Sequence, residues 1–92
     1  MNTTEHEAFN LELKQLIVDE ADKDIDPSQI GDDEALFGPR SSLGLDSLDG
    51  LQISMALQYR YGVVITDPKQ LRRILACVNT LAEFLRENRA GT

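Results

Sequence analysis

Ser47 is the side chain whose surroundings best suit a chemical role. It lies in the run Asp46-Ser47-Leu48-Asp49, directly after a stretch rich in glycine and serine and directly before a helical pattern. Asp46 suits the N-cap of this helix because its carboxylate can accept hydrogen bonds from first-turn N–H groups. Asp49 has the spacing of a capping box and suits the positive end of the helix dipole. At the first helical position, the Ser47 side chain would project outward, and a phosphate esterified there would meet free N–H groups.

The sequence offers Ser47 no partner for catalysis by the chain itself. A nucleophilic serine needs an activating base and an oxyanion site, but the sole histidine, His6, lies far away in sequence and no lysine is near. Glycine-rich phosphate loops and zinc-ligand clusters are also missing. The acidic alternation that starts at Asp22 departs from a calcium loop, because Pro27 stands where that loop turns at glycine. We therefore predict that the chain is not an enzyme, that it binds no metal, and that Ser47 is a substrate for another enzyme.

The helix that follows Ser47 carries two opposed apolar stripes. At ~100° per residue, one stripe contains Ile53, Leu57 and Tyr61, and the other contains Leu48, Leu51, Met55 and Tyr59. A surface helix needs only one such stripe, and so short a chain has few neighbours with which to cover both. We predict that the first stripe faces the core and that the second faces a partner.

The run Leu43-Gly44-Leu45-Asp46-Ser47-Leu48-Asp49, followed by Met55-Ala56-Leu57, resembles the attachment motif of acyl carrier proteins. In that family the serine of Asp-Ser-Leu carries a 4′-phosphopantetheine arm, which a phosphopantetheinyl transferase (holo-acyl carrier protein synthase) transfers from coenzyme A. The resemblance implies that Ser47 is the attachment residue and that the thiol of the arm holds acyl chains as thioesters. It also implies delivery to ketosynthases, acyltransferases and other enzymes of fatty-acid, polyketide or related biosynthesis.

Five side chains around Ser47 are candidates for partner recognition: Asp46, Leu48, Asp49, Leu51 and Met55. The charges would orient a partner, and the apolar side chains would supply contact area. Two other functions remain open. The chain could be a peptidyl carrier for an aminoacyl load, although the Leu-Gly-Leu-Asp-Ser context favours acyl groups, or an unmodified helical module that docks a partner helix.

Two departures from carriers of primary fatty-acid synthesis favour a dedicated bacterial pathway, such as polyketide, aryl polyene or specialised lipid synthesis. Where those carriers commonly have carboxylates on the second helix, this sequence has Gln52, Gln58 and Arg60. The segment that leads to the last helix is also longer and more basic, with Lys69, Arg72 and Arg73.

Ninety-two residues form a single domain, residues 1–92. The helical patterns and the resemblance together predict an all-α fold, a four-helix bundle of acyl-carrier type with a long loop between helices 1 and 2 and a short third helix. Helix 1 should run from about Glu5 to Ala21, with a capping box of Thr4 and Glu7 and an apolar face that Leu11 widens. One helical turn is expected at residues 32–37.

The later boundaries follow from local signals. Gly62 can end helix 2, and Asp67 followed by Pro68 begins helix 3. Asn79 or Thr80 should begin helix 4, with Glu83 as the capping-box partner of Thr80.

The net charge and the single cysteine limit which partners and which cellular compartment we expect. The net charge of −7 argues against nucleic acid, and 13 of the 16 acidic residues precede residue 50, which suggests steering by a basic partner patch. The sole cysteine, Cys77, cannot form an internal disulfide and is expected to be a small buried side chain in a reducing compartment. No apolar run approaches ~20 residues, and the acidic N-terminus is not typical of a signal peptide. We therefore expect a cytoplasmic monomer without membrane insertion.

Overall fold

The computed structural model describes residues 3–39, 41 and 43–88. Within these residues the chain forms helices and no strand: α1 (Thr3–Ala21), α2 (Ser47–Tyr61), α3 (Pro68–Ile74) and α4 (Val78–Asn88). Helix α1 packs against α2 and α4, and the short α3 packs against both α2 and α4. The prediction of an all-α fold is confirmed. None of the described helices has the length and apolar character that crossing a membrane requires.

The core lies where one face of each long helix meets the others. Its fully buried side chains are spaced three and four residues apart along the helices, as the helical period requires. They are Leu13, Leu16 and Ile17 from α1, Ile53 and Leu57 from α2, and Val78, Leu81 and Leu85 from α4. One prediction for α1 is wrong. Leu11 does not widen the buried face, because half of its side chain (49%) remains exposed.

The start of α1 differs slightly from the expectation. The helix begins at Thr3, about two residues earlier than predicted. Thr4 therefore lies inside the helix and cannot be its N-cap, so the predicted capping box of Thr4 and Glu7 is wrong.

Residues 22–46 connect α1 to α2 and are anchored by apolar side chains. Ile30, Leu36, Leu43 and Leu45 are buried. The predicted helical turn at residues 32–37 is wrong, since the helical turn in this connection is a 3-10 turn at Pro27–Gln29. Asp26 explains the earlier position, because its carboxylate accepts the backbone N–H of Ser28 at 3.0 Å and proline follows at the first position of the turn.

A polar cluster fixes the middle of this connection to two helices. Lys14 on α1 forms an ion pair with Asp32 at 2.7 Å, and the Asn79 backbone N–H donates to the Asp32 carbonyl oxygen at 3.0 Å. The side chain of Asn79 donates to Asp33 at 2.7 Å and accepts from Asn10 at 2.9 Å. The cluster joins residues that are far apart in sequence.

The last helix begins earlier than predicted. It starts at Val78, so Thr80 lies inside its first turn and cannot be the N-cap, and the predicted capping box with Glu83 is wrong. The Thr80 hydroxyl instead lies 3.1 Å from the sulfur of Cys77. Cys77 is half-buried, so it is more accessible than the small core side chain that was expected.

Candidate functional site

Helix α2 begins at Ser47 with the capping box that the sequence predicts. The carboxylate of Asp46, the N-cap residue, accepts the backbone N–H of Asp49 at 3.0 Å. In return, the carboxylate of Asp49 accepts the backbone N–H of Asp46 at 3.2 Å. These two bonds satisfy donors that the first turn of a helix leaves without an intrahelical partner. The first turn that holds Ser47 is therefore fixed in place.

This cap also sets the charge beside Ser47. The hydrogen bond from the Asp49 backbone lowers the pKa of Asp46 below its usual range, because the N–H group favours the ionised carboxylate. Asp46 is therefore anionic at neutral pH. The Asp46 carboxylate occupies the Asp49 N–H, and the Asp46 carbonyl oxygen accepts the Gly50 N–H at 3.0 Å. An anion on Ser47 would thus find fewer free N–H groups in this turn than the sequence pattern predicts.

Ser47 is the first residue of α2, and its side chain is exposed. Histidine is available only at His6, which is exposed on α1. Among the described residues, no three side chains of histidine, cysteine, aspartate or glutamate lie together in a way that could hold a metal ion. The Ser47 hydroxyl is therefore accessible on a rigid helical turn, where a reagent bound to another protein can reach it.

The two stripes of α2 divide as predicted. Ile53 and Leu57 are fully buried, and Tyr61 is half-buried against Phe9 of α1, with ring centroids 6.1 Å apart in an edge-to-face arrangement. The opposite stripe is exposed, with 61% of Leu48, 52% of Leu51 and 61% of Met55 open to solvent. Tyr59 extends this exposed stripe. Of the five predicted recognition residues, Leu48, Leu51 and Met55 thus share the exposed side of α2, whereas Asp46 and Asp49 form the capping box at its N-terminal end, next to Ser47.

Gly62 ends α2 in the left-handed conformation, with φ of 70°. Only glycine adopts this conformation without a steric cost, so the predicted stop is confirmed. The buried Val63 and the half-buried Ile65 then attach the linker to the core, and Asp67 caps α3 by accepting the Lys69 N–H at 2.9 Å.

Two clefts flank Ser47 between α2 and α3. The larger one, of about 250 Å³, extends along Leu51, Ser54 and Ile65. The smaller one, of about 150 Å³, is called the cationic cleft here. It is lined by Phe37, Ser47, Gly50, Lys69, Leu71 and Arg72.

A close approach at Gly50 forms the floor of the cationic cleft. A methyl group at Gly50 would lie 3.2 Å from the Phe37 ring and 3.7 Å from Leu71, so the absence of a side chain lets the ring pack directly on α2. The guanidinium of Arg72 lies over the same ring, 5.3 Å from its centroid, in a cation–π contact. Local sequence patterns predict none of these contacts, because they join residues from three separate segments.

Together these features define a class of structure, a small all-helical domain that presents a capped, exposed serine beside an interhelical cleft and an apolar stripe. The chain was compared with protein-family models, with curated proteins and with solved structures, and no match was found in any of the three.

Proposed function

We propose that this protein is an acyl carrier protein. Ser47 would receive a 4′-phosphopantetheine arm, and acyl groups would travel as thioesters on the thiol of that arm. The observation that carries the proposal is the exposed hydroxyl of Ser47 at the first position of α2, held by the Asp46–Asp49 capping box. A reagent can reach this oxygen, whereas no described feature suggests that the oxygen attacks a substrate unaided.

The attachment of the arm to Ser47 needs no cofactor bound to this chain. The Ser47 oxygen forms a bond to the phosphorus next to the pantetheine of coenzyme A, and the pyrophosphate linkage of coenzyme A breaks. Adenosine 3′,5′-bisphosphate leaves, and the serine proton passes to a base that the phosphopantetheinyl transferase supplies. The product on this chain is a phosphodiester, whose single negative charge adds to the charge of Asp46.

The exposed stripe of Leu48, Leu51 and Met55 supports the second half of the proposal, which is delivery to ketosynthases, acyltransferases and related enzymes. Large apolar side chains at more than half exposure contribute little to the fold, but they supply contact area when a partner covers them. Asp46 and Asp49 add negative charge at one end of this surface, which would orient a basic partner. The four-helix bundle of acyl-carrier type, the cytoplasmic location and a dedicated biosynthetic pathway belong to the same proposal.

The test is intact-mass spectrometry after incubation with coenzyme A and a phosphopantetheinyl transferase. We expect one added phosphopantetheine on the wild type and none on Ser47→Ala. Ser28→Ala is the matched control, because Ser28 is another exposed serine in a helical turn that an aspartate caps; this variant should gain the same mass as the wild type. A wild-type chain that gains no mass with several transferases of broad specificity would contradict the proposal.

The same exposed stripe favours a second candidate function, an unmodified helical module that docks a partner helix. This alternative makes a different prediction. Ser47→Ala would leave partner capture intact, whereas Met55→Glu would abolish it, and no transferase would modify the wild type.

A further inference from the structure

We propose that the cationic cleft is a phosphate-binding site, in which Lys69 and Arg72 hold a phosphate group attached to Ser47. The phosphate of the arm is the intended ligand, so the inference rests on the proposed function. The cleft itself, however, is formed by side chains of the unmodified chain. Its test can therefore be made without any attachment reaction.

Lys69 and Arg72 are positioned to meet a phosphate on Ser47. Lys69 and Arg72 line the same cleft as Ser47, and a phosphate ester on the Ser47 hydroxyl is fixed at this edge by its covalent bond. The acyl load sits at the far end of the arm and is not fixed in the same way. The group that the cleft must meet is therefore the phosphate.

The side chains of Lys69 and Arg72 have no carboxylate partner among the described residues. Within residues 3–39, 41 and 43–88, the ion pair that forms is the one between Lys14 and Asp32, and the side chains of Lys69 and Arg72 form no ion pair with a carboxylate. Arg72 has a cation–π contact with Phe37, which places its guanidinium at the cleft. A guanidinium can donate two parallel hydrogen bonds to a phosphate.

A phosphate on Ser47 would lie among negative charges and would need cations to balance them. Three carboxylates surround the start of α2 and α3, and all three accept backbone N–H groups: Asp46 from Asp49, Asp49 from Asp46, and Asp67 from Lys69. Their charges oppose an added phosphate, and the capping carboxylate of Asp46 has taken a helix N–H that could have bound one. The cations of α3 supply the compensating charge that this turn lacks.

The experiment is an NMR titration of the unmodified protein with sodium phosphate at constant ionic strength, followed through backbone amides and the arginine Nε–H signals. We expect saturable shifts at Ser47, Gly50 and Arg72. Arg72→Gln and Lys69→Gln should each weaken phosphate binding about threefold, which lies within the range for an exposed ion pair. Arg72→Lys, which retains the charge but loses the planar fork of donors, should bind phosphate more weakly than the wild type and more tightly than Arg72→Gln.

Arg73→Gln is the matched control. Arg73 neighbours Arg72 on α3 but lines a different surface, with Ile74, Thr80 and Phe84, so its removal should leave the phosphate affinity unchanged. A parallel titration with sodium acetate separates phosphate from carboxylate as the ligand. Circular dichroism shows that each variant is folded.

Three outcomes would overturn the inference. They are the lack of a saturable shift at the cleft with phosphate, a loss of binding in Arg73→Gln as large as that in Arg72→Gln, and binding of acetate as tight as that of phosphate. Each outcome is independent of whether a transferase modifies Ser47, so a failed attachment and a failed phosphate site are distinguishable.

Discussion

Replacing Asp46 with alanine should destabilise the domain through the first turn of α2. The substitution removes the acceptor of the Asp49 N–H, which is bound at 3.0 Å. The hydrogen bond from the Asp46 N–H to the Asp49 carboxylate then loses the reciprocal bond of the capping box. Loss of an aspartate N-cap typically costs about 1 kcal/mol. For a domain of this size, that loss corresponds to a fall in Tm of about 4–8 °C.

Asp46→Asn separates the hydrogen bond from the charge. Asparagine caps helices about as well as aspartate, so this variant should retain most of the stability that the alanine variant loses. Asp49→Ala removes the weaker half of the exchange, the 3.2 Å bond from the Asp46 N–H. The double variant Asp46→Ala/Asp49→Ala should lose less than the two single losses combined, because the two side chains act as one unit.

The same cap predicts a pH dependence. The folded-state pKa of Asp46 is lowered by its backbone hydrogen bond, from a usual value near 3.8. A lowered pKa contributes stability that is present above the unfolded-state pKa and is lost as the pH falls through the folded-state value. The difference between wild type and Asp46→Ala should therefore be complete at pH 7 and shrink below about pH 3.8. The difference between Asp46→Asn and Asp46→Ala should change less, since neither side chain titrates.

Urea denaturation monitored by circular dichroism measures all of these free energies of unfolding. An Asp46→Ala variant whose stability at pH 7 lies within about 0.3 kcal/mol of the wild type would show that the cap does not stabilise α2, because that value is below the known range for a cap. Equal losses in Asp46→Asn and Asp46→Ala would show that charge, rather than the hydrogen bond, stabilises the turn.

Two further substitutions test the two sides of α2. Leu57→Ala, at a fully buried position, should lower the free energy of unfolding by about 2–5 kcal/mol. Met55→Ala, at a position that is 61% exposed, should change it by no more than about 0.5 kcal/mol. Equal losses of the two variants in urea denaturation would contradict the division of α2 into a core stripe and an exposed stripe. Gly50→Ala should show little net change in stability, because the gain of about 1 kcal/mol in helix preference is offset by a methyl group 3.2 Å from the Phe37 ring. Aromatic NMR should show the ring displaced, and a full gain with unmoved ring signals would contradict the close packing.

The features that the sequence predicts well are those encoded over a few residues. The cap at Asp46 and Asp49, the stop at Gly62 and the start at Asp67 depend on hydrogen bonds or backbone angles within one turn. Their residue types therefore carry the signal directly. The division of α2 into two stripes is similarly local, because a regular helix fixes which side chains share a face.

Features that depend on distant segments could not be predicted in this way. Asn10 and Asn79 are 69 positions apart, yet their side chains are hydrogen-bonded, and no local pattern predicts that pairing. The Phe37 ring over Gly50 likewise depends on how the long connection returns to α2. Local signals also compete, as at the start of α4, where the Thr80–Glu83 spacing suggested a cap although the helix had already begun at Val78.

The acidic and apolar recognition candidates do not carry equal weight as evidence for a partner. Asp46 and Asp49 have a sufficient structural explanation, because the capping box would favour them even if no partner existed. Leu48 and Met55 have no such explanation, since both are 61% exposed and contribute little to the core. The case for a docking surface therefore depends on the apolar stripe, and neutralising the two carboxylates would confuse a loss of fold with a loss of recognition. Substitutions along the stripe separate these effects, because they can remove contact area while the cap and the core remain intact.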